Sequence, residues 1–171
     1  MSPLIKTALK YAVICGGMLI AAHIALDLTG AKPLINFSAM FVDLVLVFGF
    51  VFFAAKEFKD YLNGGILHFW QGISIGAIII FTGVVIFTMY MATYYAINET
   101  AFQEYITDSI ALFDKQRANW EMYLSEEEIA SQRALYRKTT VFQLTLGKFV
   151  TKLVVGFLIV PLVAVILRKQ N

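Results

Sequence analysis

Five ionisable side chains sit inside stretches that are otherwise apolar: His23, Asp27, Asp43, Lys148 and Lys152. Charge inside a hydrocarbon layer is costly, so such groups face a partner or a polar cavity and are functional candidates. Lys148 and Lys152 are four residues apart and share one face of a helix. Asp43, with Asp27 as a second acid, supplies the opposing charge. Two readings follow. In one, two acids and two bases form an ion-paired seam that fixes helix order and register, with lysine stems reaching outward. In the other, the same groups line a polar cavity for an ion, a proton or a small polar ligand. Gln143, Thr145 and Thr151, and Tyr90, Thr93 and Tyr94, are weaker candidates for the same region.

Other chemistries find little support. The chain has two histidines, His23 and His68. They fall near opposite ends of the apolar layer, which disfavours a bis-histidine haem, and the same shortage disfavours zinc. There is no glycine-rich phosphate loop and no Ser/His/Asp set with a local signature. No cofactor and no enzymatic activity are expected. With 14 basic and 12 acidic residues the charge is too balanced to suggest nucleic acid. One cysteine, Cys15, excludes an intrachain disulfide framework.

The elements that must position these groups are four long apolar stretches, Leu9–Leu28, Ile35–Ala55, Phe69–Tyr95 and Val141–Leu167. Each is long enough to cross a bilayer as a helix, which takes ~20 residues. The chain is 59% hydrophobic and 15% charged, against ~45–50% and ~25% in soluble domains. The expectation is one all-α membrane domain over residues 1–171, embedded in the lipid bilayer, with a helical hairpin at about 98–140 between the third and fourth spans. Lys6 and Lys10 before an apolar run suggest a signal peptide, but no small-x-small site follows, so an uncleaved first span is expected. Ile14 before Cys15, and an apolar segment lying after it, disfavour a lipoprotein cysteine.

Basic residues near span ends set orientation. Lys6 and Lys10, Lys56 and Lys59, and Arg168 and Lys169 fall on one side of a four-span chain. Both termini are therefore expected in the cytoplasm and the long third loop outside. At ~1.5 Å per residue, Asp43 lies about 12 Å into its span, and Lys148 and Lys152 about 10 and 16 Å into theirs from the same side. His23 and Asp27 lie at that end of the first span.

Pro33 marks a tight first loop and Asn63-Gly64-Gly65 a turn before the third span. Pro161, inside the fourth span, is expected to kink it. Gly17, Ala21 and Ala25 form a small-residue stripe on the first span, and Gly72, Gly76 and Gly83 a smooth face on the third. Both are expected to pack helices within the chain, with contact to a second copy as the alternative.

The third loop carries its own pattern. Thr100-x-x-Gln103 fits a capping box. Phe102, Ile106, Ile110, Phe113, Trp120 and Leu124 then recur at helical spacing, interrupted by Arg117. Ser125-x-x-Glu128 is a second box, flanked by Leu124 and Ile129 as a hydrophobic staple. Glu126, Glu127 and Glu128 suit the positive end of a helix starting there. That helix either runs into the fourth span or breaks at Thr139-Thr140. The pair is read as a hairpin capping the bundle or as an amphipathic face for a partner or membrane surface.

Phe58-Lys59-Asp60-Tyr61-Leu62-Asn63-Gly64-Gly65, the acidic loop with Leu124-Ser125-Glu126-Glu127-Glu128-Ile129, the last span and the basic tail together resemble the bacterial membrane family catalogued as domain of unknown function 4199. The resemblance implies four inner-membrane spans with a helical insert between the third and fourth. It offers no catalytic or ligand residues. The leading expectation is an accessory or scaffold subunit of a membrane complex, bound to other membrane proteins or to itself. The alternative is a small oligomeric transporter or channel using the Asp/Lys cluster.

Overall fold

Ser2 and Pro3 begin the first helix before the apolar stretch does. Ser2 Oγ accepts from the Ile5 N–H, and Pro3 occupies a first-turn position where its missing N–H is harmless. In the computed structural model, which describes residues 1–35, 37–117 and 122–168, this helix, α1, covers Pro3–Leu28. It is followed by α2 (Phe37–Glu57), α3 (Phe69–Ile97), α4 (Glu99–Lys115), α5 (Glu126–Arg137) and α6 (Val141–Leu167). Trp120 and Lys169 lie outside the described residues. The protein is all-α among those residues, and α1, α2, α3 and α6 are each long and apolar enough to cross a membrane. Val13, Phe41, Val45, Phe81, Leu158 and Leu162 are all exposed on these helices. Such surface is adverse in water and costs nothing against lipid tails.

Two turns shape the helix ends. Thr29 caps α1 with its hydroxyl on the Leu26 carbonyl, and Gly30 follows at φ 75°, the left-handed backbone that favours glycine. Past α2 the chain widens into a π-helix, Phe58–Leu62, which the sequence reading did not anticipate. Gly64 and Gly65, at φ 62° and 79°, then reverse it. The Asn63 side-chain amide donates to the Ile66 carbonyl and to Gln71 Oε1, and Gln71 also accepts from the His68 N–H at the start of α3.

The chain divides into two compact units, Met1–Tyr90 with Lys148–Asn171, and Met91–Gly147. In the first, α3 and α6 interlock as an antiparallel pair. A Cβ on Gly72 would lie 2.9 Å from the Ala164 Cβ, one on Gly76 2.6 Å from Val160, and one on Gly156 2.8 Å from Ile80. Each glycine thus receives a side chain of the other helix, the close approach that drives helix association in lipid. Gly83 turns elsewhere, toward Ala12 and Gly16 of α1. The expected stripe on α1 is corrected: Gly17, Ala21 and Ala25 are exposed, and nothing lies within 4 Å of a Cβ on Gly17. The packing face is Ala8, Ala12, Cys15, Gly16, Leu19 and His23, with Gly16 against Ile86. α6 remains helical through Pro161.

In the second unit, Asn98 closes α3, donating its N–H to the Tyr94 carbonyl, and opens α4, accepting from the Ala101 N–H. The cap is therefore Asn98 and not Thr100. α4 ends at Lys115, short of Leu124. Its apolar face meets α5 through Phe113 and Tyr136, with ring centres 5.8 Å apart, and Ile106 and Ile129 are buried. Arg133 donates to Asp114 at 2.6 Å and Arg117 pairs with Glu126. The Ser125–Glu128 box forms in both directions, and these bonds hold the Glu128 carboxyl below its ordinary value. Burial raises the Tyr105 phenol above its own. The chain breaks at Thr139-Thr140, and α6 starts with a reciprocal box between Thr140 and Gln143. That Thr-x-x-Gln signal was present in the sequence and was passed over.

Candidate functional site: a charged pocket among three helices

The polar centre lies within the first unit, where α1, α2 and α6 each present an ionisable group to a buried triad. His23 sits on the inward face of α1, one turn beyond Leu19. Asp43 lies in the second turn of α2, and Lys152 at the start of the fourth turn of α6. Lys152 donates to Asp43 Oδ2. The His23 Nε2 is 3.2 Å from Asp43 Oδ1 and 3.2 Å from the Lys152 Nζ. All three side chains are largely buried, at 8%, 14% and 12% exposure for His23, Asp43 and Lys152. Phe87 of α3 closes the group. Its ring centre is 4.6 Å from that of His23 and 4.3 Å from the Lys152 Nζ, a cation–π contact.

One ring nitrogen cannot accept from Lys152 and donate to Asp43 at once. With a lone pair on Nε2, His23 accepts from the ammonium; with a proton there, it donates to the carboxylate. The triad therefore has two hydrogen-bond arrangements that differ by the position of one proton.

Lys148, one turn before Lys152, takes a different partner. Its ammonium donates to the main-chain carbonyl of Leu34. The loop after α1 presents that carbonyl, with Gly30 and Lys32 at positive φ and Pro33 following. Asp27 is exposed and accepts from the Gly30 N–H through its carbonyl, away from the triad. The expected arrangement of two acids against two bases is thus corrected. One acid meets one lysine and one histidine, while the second lysine rests on a carbonyl. The physical reason is position along the axis: Asp27, four positions on, shares the face of His23, but it lies one turn further along, in the exposed last turn of α1.

These groups line a cavity of about 170 Å³. Its walls include His23, Asp43, Lys148, Thr151 and Lys152, with Leu19, Met40, Leu44, Val84, Val155 and Ile159 among the apolar remainder. Thr151 is the one further polar candidate of α6 that reaches it. Gln143 caps α6, and Thr145 bonds the Val141 and Phe142 carbonyls of its own helix. Among the described residues no three His, Cys, Asp or Glu side chains converge to hold a metal ion.

A second polar clamp joins α1 to α2. Lys10 donates to both Glu57 oxygens at 2.6 and 2.7 Å, and the Tyr11 hydroxyl donates to Glu57 at 2.7 Å. Lys10 precedes His23 by 13 positions and Glu57 follows Asp43 by 14. On antiparallel helices those steps match, so α1 and α2 are pinned together at two levels about 20 Å apart along their axes. Sequence reasoning used Lys10 only for orientation and missed Glu57, because a charge at a helix end gives no sign of its partner.

No curated protein and no solved structure matches the chain. The family model described as "Protein of unknown function (DUF4199)" matches residues 10–169. An all-α chain with four membrane-length helices and an interhelical charged pocket therefore belongs to the DUF4199 family, as the motifs around Gly64-Gly65 and Ser125–Ile129 led us to expect.

Proposed function

We propose that this chain is a non-enzymatic, multi-pass protein of the bacterial inner membrane that binds a small polar solute in the pocket between α1, α2 and α6, as a small oligomeric transporter or channel would. The observation that carries the reading is the cavity itself: a histidine, an aspartate and two lysines from three helices around open volume. A purely structural seam needs ion pairs but no space beside them. The basic residues Lys6, Lys10, Lys56, Lys59 and Arg168 support cytoplasmic termini and an extracytoplasmic third loop.

Access is tested with charged methanethiosulfonate reagents on Met40→Cys, whose new thiol faces the cavity. Wild type is the control, because its Cys15 is 1% exposed. Labelling by a charged reagent is expected, and a thiol that stays inert removes the reading. For transport, reconstituted vesicles with an internal pH dye report proton flux, and Asp43→Asn is expected to lower it. Flux unchanged by that substitution removes the transport role.

A second reading, an accessory or scaffold subunit of a membrane complex, is favoured by the second unit. There Arg133–Asp114 joins α5 to α4, and Arg117, just past the end of α4, pairs with Glu126 of α5. Extraction in a mild detergent with mass spectrometry of co-purifying proteins tests it; a chain recovered without partners counts against it.

A further inference from the structure

Resting on the pocket reading above, we infer that the solute is a small monocarboxylate with an apolar body, its carboxylate held by Lys148. The charge balance comes first. Asp43 is the one carboxylate among the groups lining the cavity, and it is already bonded to Lys152 and beside His23. Two ammonium groups against one carboxylate leave one positive charge in excess. Lys148 carries it, with the Leu34 carbonyl as hydrogen-bond partner. A carbonyl satisfies one ammonium proton and neutralises nothing, while an ammonium has three protons to give. An arriving carboxylate supplies the missing charge in a partly desolvated site, where a charge-assisted bond is strongest.

Charge and shape narrow the class. One surplus positive charge matches a monoanion, whereas a phosphate monoester carries about −1.5 to −2 at neutral pH. The remaining walls, including Leu19, Leu34, Met40, Leu44, Val84 and Ile159, are apolar. They suit a hydrocarbon body and offer nothing to a sugar or a zwitterionic amine. The volume of about 170 Å³ is close to that of a ~150 Å³ apolar cavity that accepts benzene. A ring-sized carboxylic acid fits, and so does the carboxyl end of a fatty acid entering from lipid.

The test uses the full chain in detergent, with benzoate for the soluble source and decanoate for the lipid source. Benzylamine, benzyl alcohol and phenyl phosphate are the contrasts. Two readouts run together: the rate at which a charged methanethiosulfonate labels Met40→Cys, and the thermal midpoint of the unsubstituted chain, which guards against a misfolded variant. At ten times its dissociation constant benzoate is expected to slow labelling about tenfold and to raise the midpoint. Lys148→Met should abolish both effects and Lys148→Arg should keep them. An effect from decanoate without one from benzoate supports the same carboxylate chemistry and assigns the lipid as its source. If the thiol is labelled but neither carboxylate protects it, or if benzylamine or phenyl phosphate protects it as well as benzoate does, the carboxylate inference is overturned while the open pocket stands. A thiol that no reagent reaches, with a midpoint that no probe moves, overturns both.

Discussion

Lys152 donates a hydrogen bond to Asp43 across 109 residues of chain, and His23 stands 3.2 Å from each of them. The bond ties the second membrane helix to the last, and the histidine ties both to the first. Because the pair is largely buried, its two halves are worth more together than apart.

Asp43→Leu removes the carboxylate and strands the Lys152 charge. A broken buried pair costs about 3–5 kcal/mol. The thermal midpoint in detergent should fall clearly, and the double substitution Asp43→Leu with Lys152→Met should recover most of the loss. A single substitution that melts like wild type would show that the pair contributes nothing to folding.

The glycines predict opposite signs at two positions. A Cβ at Gly76 meets Val160 at 2.6 Å, so Gly76→Ala overpacks the α3–α6 contact, a change that costs about 1–3 kcal/mol. Gly17→Ala meets nothing and gains helix propensity, worth up to ~1 kcal/mol. Detergent-unfolding curves of the two variants should shift in opposite directions, and Val160→Ala should relieve the first.

At the other end of α1 the clamp is weaker. Lys10 and Glu57 are 51% and 30% exposed, and exposed pairs are worth about 0–1 kcal/mol. Glu57→Gln should shift the midpoint far less than Asp43→Leu does. Added salt should narrow the gap between Glu57→Gln and wild type, since screening acts on exposed charges. A loss as large as that of Asp43→Leu would mean the clamp is shielded by lipid.

The Ser125–Glu128 box gives α5 a pH dependence. Its bonds lower the Glu128 pKa in the folded chain, so the stability it adds is full above the unfolded carboxyl value and is lost as pH falls through the folded one. Amide exchange at Glu128 and Ile129 should quicken in acid relative to the α4 amides. Ser125→Ala, at a cost of about 1 kcal/mol, should quicken it at neutral pH and flatten the pH response. Equal exchange in both chains at neutral pH would remove the box as a stabilising element.

How far these features were legible varies with their range. The second box was read from Ser125 and Glu128 because both partners lie within one turn. Thr100 was misread as a cap because Asn98, two positions earlier, serves both α3 and α4. The π-helix at Phe58–Leu62 has no legible pattern of its own, since five residues make little more than one turn. Glu57 was invisible as a partner because nothing local names Lys10.

The four apolar stretches, by length and composition alone, determined that this chain forms helices fit for lipid, and charged residues within them identified candidates for its polar centre. Backbone hydrogen bonds within a helix close over four residues, so that information is local. Only the tertiary structure decided which candidates meet. Neighbouring positions on a helix point about 100° apart, so Gly16 faces Ile86 while Gly17 faces outward, and among the candidates His23 joins Asp43 while Asp27, a turn nearer the helix end, is left exposed. That rotation is fixed by packing among four helices at once, and no single stretch of sequence carries it.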